Sequence, residues 1–178
     1  MTTSLQLRSD IALLNKRMSA DIRKLFHQSS DDTLTALRDL LPSVIDGYGP
    51  VAASIAADWY DTYREQAGAP KRFTAIPGDI ADSGTQALIG WATATATNDQ
   101  TFEGFILAGS QRRMANFSRL TVTGSSTADP SARGWQRVGV GECDFCAMLL
   151  GRGAVYSEAT ADFAAHDNCH CGAEPVFD

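Results

Sequence analysis

The chain of 178 residues is 44% hydrophobic and 20% charged, which excludes compositional disorder and suits one or two domains with a buried core. A net charge of −6 argues against a surface that is a nucleic-acid footprint throughout, while leaving room for a local basic patch. No apolar run approaches the roughly 18 residues of a membrane span, and the polar, mixed-charge stretch from Met1 to Asp10 does not read as a secretory signal.

The first two thirds predict helices. Leu7, Ile11, Leu14, Met18, Ile22 and Leu25 recur at spacings of three and four and form one apolar stripe. Arg8, Lys16, Arg17, Arg23 and Lys24 fall mostly off it, against only Asp10 and Asp21, so this helix is locally basic in an acidic chain. A solvated helix face explains that charge; contact with phosphate or an acidic partner is the functional alternative. A second helix is expected from Ser30 or Asp31, whose short polar side chains can cap free N–H groups, with Leu34, Leu37, Leu41 and Val44 as its stripe. Pro42 is expected to kink or end it, and Gly47 to Pro50 to break it. A third helix then runs from Val51 to Gln66, with Ile55, Trp59 and Tyr63 on one face and Gly68 as its stop. Ala52, Ala53, Ala56 and Ala57 leave room for close helix packing. Residues 69–78, with two prolines, read as a loop, and helices are predicted over about 80–97 and 100–120. Gly104 and Gly109 weaken the case for continuity of the last one. Thr123 to Ser131 is small, polar and contains Gly and Pro, the composition of a linker.

After it the texture changes. Gly134 to Val140 reads as a strand, Cys143 to Leu150 as a knuckle with two helical turns, and Gly151 to Gly153 as a turn. Ala154 to Tyr156 is a second short strand, and Ala173 to Phe177 can pair as a last one. The expected fold is therefore α+β: a mainly helical domain over 1–125, followed by a small metal-stapled module with short strands over 126–178. So few residues make a small core, and a bound metal supplies stability in modules of that size.

All four cysteines lie in this last part, as Cys143, Cys146, Cys169 and Cys171, with His166 beside them. They read C-x2-C, nineteen residues, then H-x2-C-x-C. Two short-spaced pairs separated by a loop is how a chain builds a closed tetrahedral zinc site, since each pair points two soft ligands at one ion. The cytoplasmic synthesis expected of a chain without a secretory signal favours metal ligation over disulfides. Zinc needs four ligands. Cys143, Cys146 and Cys169 are the safest, and the fourth is His166 or Cys171, with His170 a further competitor. A sulfur-rich, saturated site is structural, because thiolates leave the ion a poor Lewis acid with no open position.

Catalytic alternatives fit less well. The H-x-E upstream of P-C-x-x-C of zinc deaminases and the H-E-x-x-H of metalloproteases are missing, as are Walker and dinucleotide-binding loops. Glu142, Asp144 and Asp167 flank the ligands as candidate bases, a role less common for such residues than that of surface charge. Residues 134–178 hold Arg137 and Arg152 against seven acids, which disfavours a zinc-finger reader of DNA.

The Trp135-x-Arg137-Val138 strand, the C-x-x-C opening a short helix (Cys143 to Leu150), the Gly151-Arg152-Gly153-Ala154-Val155-Tyr156 turn and strand, and the terminal His166-Asp167-Asn168-Cys169-His170-Cys171 together resemble the phage Mu F-like head morphogenesis proteins. Within that family the chain is most similar to the shorter minor capsid proteins of actinobacteriophages. The likeness is strongest over 134–178 and looser around Ala57 to Asp61. Asp167 stands where the family commonly has proline, and His170 where it has arginine, so no contact made by that arginine is carried over. The resemblance implies a non-enzymatic minor virion component. It would associate with the portal protein or major capsid protein in the head interior and assist DNA packaging or ejection. It would be located in the host cytoplasm during assembly and in the virion afterwards. On this reading the zinc is structural, no membrane is involved, and Lys16, Arg17, Arg23 and Lys24 are candidate contacts to packaged DNA. The competing expectations are a zinc hydrolase or nuclease acting in phage development, and a zinc-ribbon regulator that binds host protein or DNA.

Overall fold

A computed structural model describes residues 2–28, 32–141, 144–154, 156–157 and 163–177. Four helices come first: α1 (Ser4–Gln28), α2 (Thr33–Gln66), α3 (Thr85–Thr95) and α4 (Asp99–Ala128). Strand β1 (Ala132–Val138), the short helix α5 (Asp144–Leu150) and strand β2 (Gly172–Phe177) follow, giving an α+β fold.

The stripe of α1 forms as its spacing predicts. Leu7, Leu14, Met18 and Ile22 are buried, with Ile11 and Leu25 packed at the edge of the core. The second and third predicted helices are a single helix, contrary to the expected break at Gly47 to Pro50. Its cap is Asp32, whose side chain accepts from Thr35 N at 3.2 Å; the expected caps Ser30 and Asp31 lie outside the described residues. Two features reconcile α2 with its prolines. Pro42 has no N–H for the Arg38 carbonyl four residues earlier, and Gln86 Nε2, at the start of α3, donates to that oxygen at 2.8 Å. Asp46, which loses its donor to Pro50, is exposed, where water can serve it. Gly49 does not break the helix but lets it cross α4. A Cβ there would lie 2.4 Å from the Phe117 ring. Ala52, Ala53, Ala56 and Ala57 are buried as expected, and Gly68, at φ 68°, stops the helix.

Contrary to the expectation that no apolar run approaches a membrane span, an 18-residue stretch of α2 has a mean hydropathy of 1.2 and is long and apolar enough, by length and composition, to cross a membrane. The buried residues of this helix pack against α1 and α4 of the same chain.

Helix α4 starts at a reciprocal cap between Asn98 and Thr101 and passes through both glycines without interruption. Gly109 sits under Leu88, with no room for a Cβ. The helix continues to Ala128, through most of the segment expected to be a linker. Thr123, Ser125 and Ser126 are buried, because their small hydroxyls have partners within reach. Ser126 Oγ bonds back to the Val122 carbonyl at 2.6 Å, and Thr127 Oγ1 to that of Thr123 at 2.9 Å. The loop after α2 lies along this polar strip. Ile76 N donates to Ser125 Oγ at 3.0 Å and Gly78 N to Thr121 Oγ1 at 2.8 Å. At the end of α4, buried Asp129 accepts from Arg64 Nε at 2.7 Å, Tyr60 OH at 3.3 Å and Ser131 N at 2.9 Å. Burial and then the Asp129 charge push the Tyr60 phenol up.

Strands β1 and β2 pair antiparallel, with an irregularity between Ala132 and Gly134. Gly134, at φ 135°, admits the Tyr156 carbonyl, which would lie 2.1 Å from a Cβ. The expected strand at Ala154 to Tyr156 is reduced to one bridge, Trp135 to Tyr156, and Val155 lies outside the described residues. Trp135 is fully buried, stacked on Tyr156 at 4.3 Å and Phe163 at 5.6 Å, and it joins Leu7, Ala56, Trp59 and Tyr60 in a second core cluster that seats the sheet on the helices.

The glycines of α2 give a paired test by thermal or urea denaturation. Gly49→Ala is expected to destabilise by about 1–3 kcal/mol through overpacking against Phe117. Gly47→Ala, facing open space two residues earlier, is expected to stabilise by up to about 1 kcal/mol.

Candidate metal centre

Three of the five sequence candidates come together as a buried cluster. The sulfurs of Cys146, Cys169 and Cys171 all lie within 4.8 Å of one another, and each residue is at least nine-tenths buried. Cys146 comes from the first turn of α5. Cys169 and Cys171 come from a tight turn at residues 166–171, closed by Cys169 N donating to the His166 carbonyl at 3.2 Å. Asn168 takes φ 59° there, a left-handed conformation that asparagine tolerates better than most residues. Just past β1 the chain crosses over the cluster at Gly139, where a Cβ would lie 2.7 Å from Cys171 Sγ.

The distances suit an ion better than a disulfide. Cys146 Sγ and Cys169 Sγ are 4.0 Å apart, close to the roughly 3.8 Å edge of a tetrahedron with metal–sulfur bonds of about 2.3 Å. No disulfide joins the described cysteines. His166 adjoins the cluster at Cys146, its Nε2 lying 3.2 Å from that sulfur. Its Nδ1 is 2.7 Å from the Asp167 carbonyl, which can only accept, so Nδ1 carries a proton and Nε2 is the atom turned to the sulfurs. Cys143 lies outside the described residues, as does Glu142. His170 is exposed.

The helical body grips the turn through Gln111 and Arg119 of α4, which cysteine spacing does not point to, and through Arg8 of the basic α1. Arg119 of α4, 4% exposed, donates from Nη2 to the Cys169 carbonyl at 2.7 Å and from Nε to the Cys171 carbonyl at 3.1 Å. Gln111 Nε2 also donates to the Cys169 carbonyl, at 3.1 Å, and Arg8 Nε of α1 donates to the His170 carbonyl at 3.0 Å. Arg112 pairs with Asp167 at 3.1 Å, which engages one of the candidate bases. Asp144 is exposed at the start of α5. Arg137 is buried with its guanidinium 3.8 Å over the Phe163 ring and its Nη2 on the Ala164 carbonyl. Arg119 lies over the same ring at 5.2 Å. The signal for Arg119 in the sequence is a charged residue between the apolar positions Phe117 and Val122.

Two buried guanidinium groups and three sulfurs set the local electrostatics. Burial pushes the Arg119 pKa down, and the charge of Cys169, Cys171 and Cys146 opposes that shift. The Cys169 thiol is held far below its ordinary range, first by a hydrogen bond from Cys171 and further by Arg119; Cys171, as the donor to Cys169, is pushed up. A thiolate is the metal-binding form of cysteine, so Cys169 is the member of the cluster most ready to ligate.

Residues 2–178 match the VG15 protein family. The chain belongs to that family. No curated protein and no solved structure matches it. In this VG15 family member, three buried cysteines are clustered and could bind a metal such as zinc. Soft sulfur donors select zinc or a similar thiophilic ion over magnesium or calcium.

Arg119→Leu is expected to lower stability by about 2–4 kcal/mol, because the carbonyls of Cys169 and Cys171 lose a charged donor in a buried place. Arg112→Leu, which breaks a partly exposed pair with Asp167, is expected to cost no more than about 1 kcal/mol. Urea denaturation followed by tryptophan fluorescence compares the two.

Proposed function

We propose that this VG15 family chain is a phage head protein of the Mu F-like minor capsid type, non-enzymatic, with a structural zinc ion closing its C-terminal module. The observation that carries the metal reading is the sulfur cluster itself: Cys146, Cys169 and Cys171 converge in a buried place whose backbone is locked by Gln111 and Arg119. Cys143 and His166 are the candidates for the fourth ligand. Zinc held there would cross-link α5 to the turn at 166–171 and so supply stability that a two-stranded sheet lacks alone. The donor set supports a closed centre, because sulfur-dominated zinc sites leave no position for substrate.

The head-assembly role rests on the resemblance of the strand at Trp135 to Val138, the C-x-x-C helix and the terminal Cys/His turn, together with the VG15 match. In this reading the helical part meets the portal protein or the major capsid protein, and the mature location is the virion. DNA contact falls first to Lys16 and Arg17, exposed on α1, because Arg23 ion-pairs with Glu103 at 3.3 Å and Lys24 with Asp21 at 2.6 Å.

Two measurements test the reading. Purified protein is expected to carry about one zinc per chain, with X-ray absorption showing about four sulfur and nitrogen neighbours at bonding distance and no water. Cys169→Ser should release the metal. A bound water together with hydrolytic activity that His166→Ala abolishes in a folded protein would replace this reading with a catalytic one. For the role in assembly, the chain should be found in purified procapsids and be captured by the portal or major capsid protein; its absence from both particles and complexes would end that proposal.

A further inference from the structure

Helices α1 and α2 lie side by side. Tyr48 OH donates to Asp21 Oδ2 at 2.6 Å, and Trp59 Nε1 donates to the Thr3 carbonyl at 2.9 Å, so the two run antiparallel. Their shared outer face carries large apolar side chains. Leu13 of α1 is 54% exposed, and Leu40 and Val51 of α2 are 47% and 46% exposed. The apolar 18-residue stretch of α2 points the same way, since only 39% of it is buried inside the molecule. Packing within the chain accounts for that buried part and leaves the apolar outer part uncovered.

The charge on this face is sorted by helix. At about 100° per residue, Lys16 and Arg23 fall about 140–160° round α1 from Asp21, on the edge turned away from α2. Asp39 and Asp46 fall about 160–180° round α2 from Tyr48, on the edge turned away from α1. Leu13, Leu40 and Val51 lie about 60–80° from the same two residues, between the edges. All four charged residues are exposed. Lys16, Asp39 and Asp46 have no ion-pair partner among the described residues, and Arg23 has a solvated one in Glu103. A face with an apolar centre, one basic edge and one acidic edge complements its own two-fold image.

We propose that this face joins two copies of the chain in a symmetric dimer, with the two-fold axis parallel to the helices. That axis lays α1 of one copy over α2 of the other. Lys16 and Arg23 of each then meet Asp39 and Asp46 of its partner, and Leu13, Leu40 and Val51 close into a four-helix contact. An overlap about 30 Å long and 20 Å wide offers about 600 Å² per copy, the low end for specific interfaces. DNA fits the whole face less well, because Asp39 and Asp46 repel phosphate and phosphate has nothing to offer Leu13 or Val51. The same two carboxylates disfavour a bilayer. The inference does not rest on the head-assembly reading, and either can fail alone. Lys16 cannot meet DNA and a second copy at once, so the readout is taken without DNA.

The test is sedimentation equilibrium of the full-length chain over a concentration series. The mass should rise from 19.1 kDa towards twice that value. Val51→Glu, Lys16→Glu and Asp46→Lys should each weaken association about ten-fold or more, and Lys16→Glu combined with Asp46→Lys should recover most of it, because each edge then carries the opposite sign. Ile76→Glu, in the loop after α2 and 59% exposed, should leave association unchanged. Thermal unfolding of each variant checks that it is folded; if Val51→Glu is not, the charge swaps decide. The proposal is overturned by a mass of 19.1 kDa throughout, by a dimer indifferent to a folded Val51→Glu, or by single swaps that the double swap does not rescue. A monomer that pellets with neutral phospholipid vesicles would overturn it in favour of a membrane.

Discussion

The guanidinium of Arg119, lodged between the carbonyls of Cys169 and Cys171, holds the two textures of this chain together. Taking such a group out of water costs several kcal/mol, and the burial is tolerable only where charge-assisted hydrogen bonds and nearby negative charge offset it. Both are present. The carbonyls accept from two of its nitrogens, Asn116 accepts from a third at 2.8 Å, and the sulfurs of the cluster lie close enough to act on its charge. The dependence runs in both directions. Arg119 helps to hold the Cys169 thiol down, and the charge of the sulfurs in turn opposes the effect of burial on the guanidinium. Trp135, Tyr156 and Phe163 then wrap the sheet around this polar centre and carry the contact on to Leu7 and Tyr60.

Much of this was legible in the chain. The stripe from Leu7 to Leu25, the alanine face of α2, the strands near Trp135 and Val176, and a cysteine cluster drawn from the two short-spaced groups follow from local spacing. The errors share a cause, which is that long-range partners overrode local composition. Pro42 and Gly49 read as a break in α2. The breaker signals are real, but Gln86 serves one and the Phe117 ring requires the other, and neither partner is near in sequence. The stretch from Thr123 to Ala128 looks like a linker because small polar residues usually face water. Here Thr123, Ser125 and Ser126 are buried, with Ser125 Oγ accepting from Ile76 N of the loop and Ser126 Oγ donating back to the Val122 carbonyl.

The residues that hold the metal turn were harder to find than those that form it. Cysteine spacing is a pattern within a few residues, whereas Gln111 and Arg119 meet the turn across more than fifty residues of chain. Nothing in the local sequence distinguishes them from the other polar residues of α4. The strand expected at Ala154 to Tyr156 shows, among the described residues, as one bridge from Tyr156 to Trp135. Its place beside Trp135 is fixed by one carbonyl entering the space that Gly134 leaves open, which is a contact rather than a period.

Helix α4 presents Gln111, Arg112, Ala115, Ser118 and Arg119 to the C-terminal part of the chain from roughly a third of its circumference, while Phe117 meets α2 on another side. Each added residue turns a helix by about 100°, so an insertion between Gln111 and Phe117 would swing Phe117, Ser118 and Arg119 out of phase with Gln111 and the helix before it. The length of α4 is therefore far less free to drift than its plain composition implies. Side chains there can be exchanged one at a time, but gains and losses of single residues should be rare among functional variants of this chain.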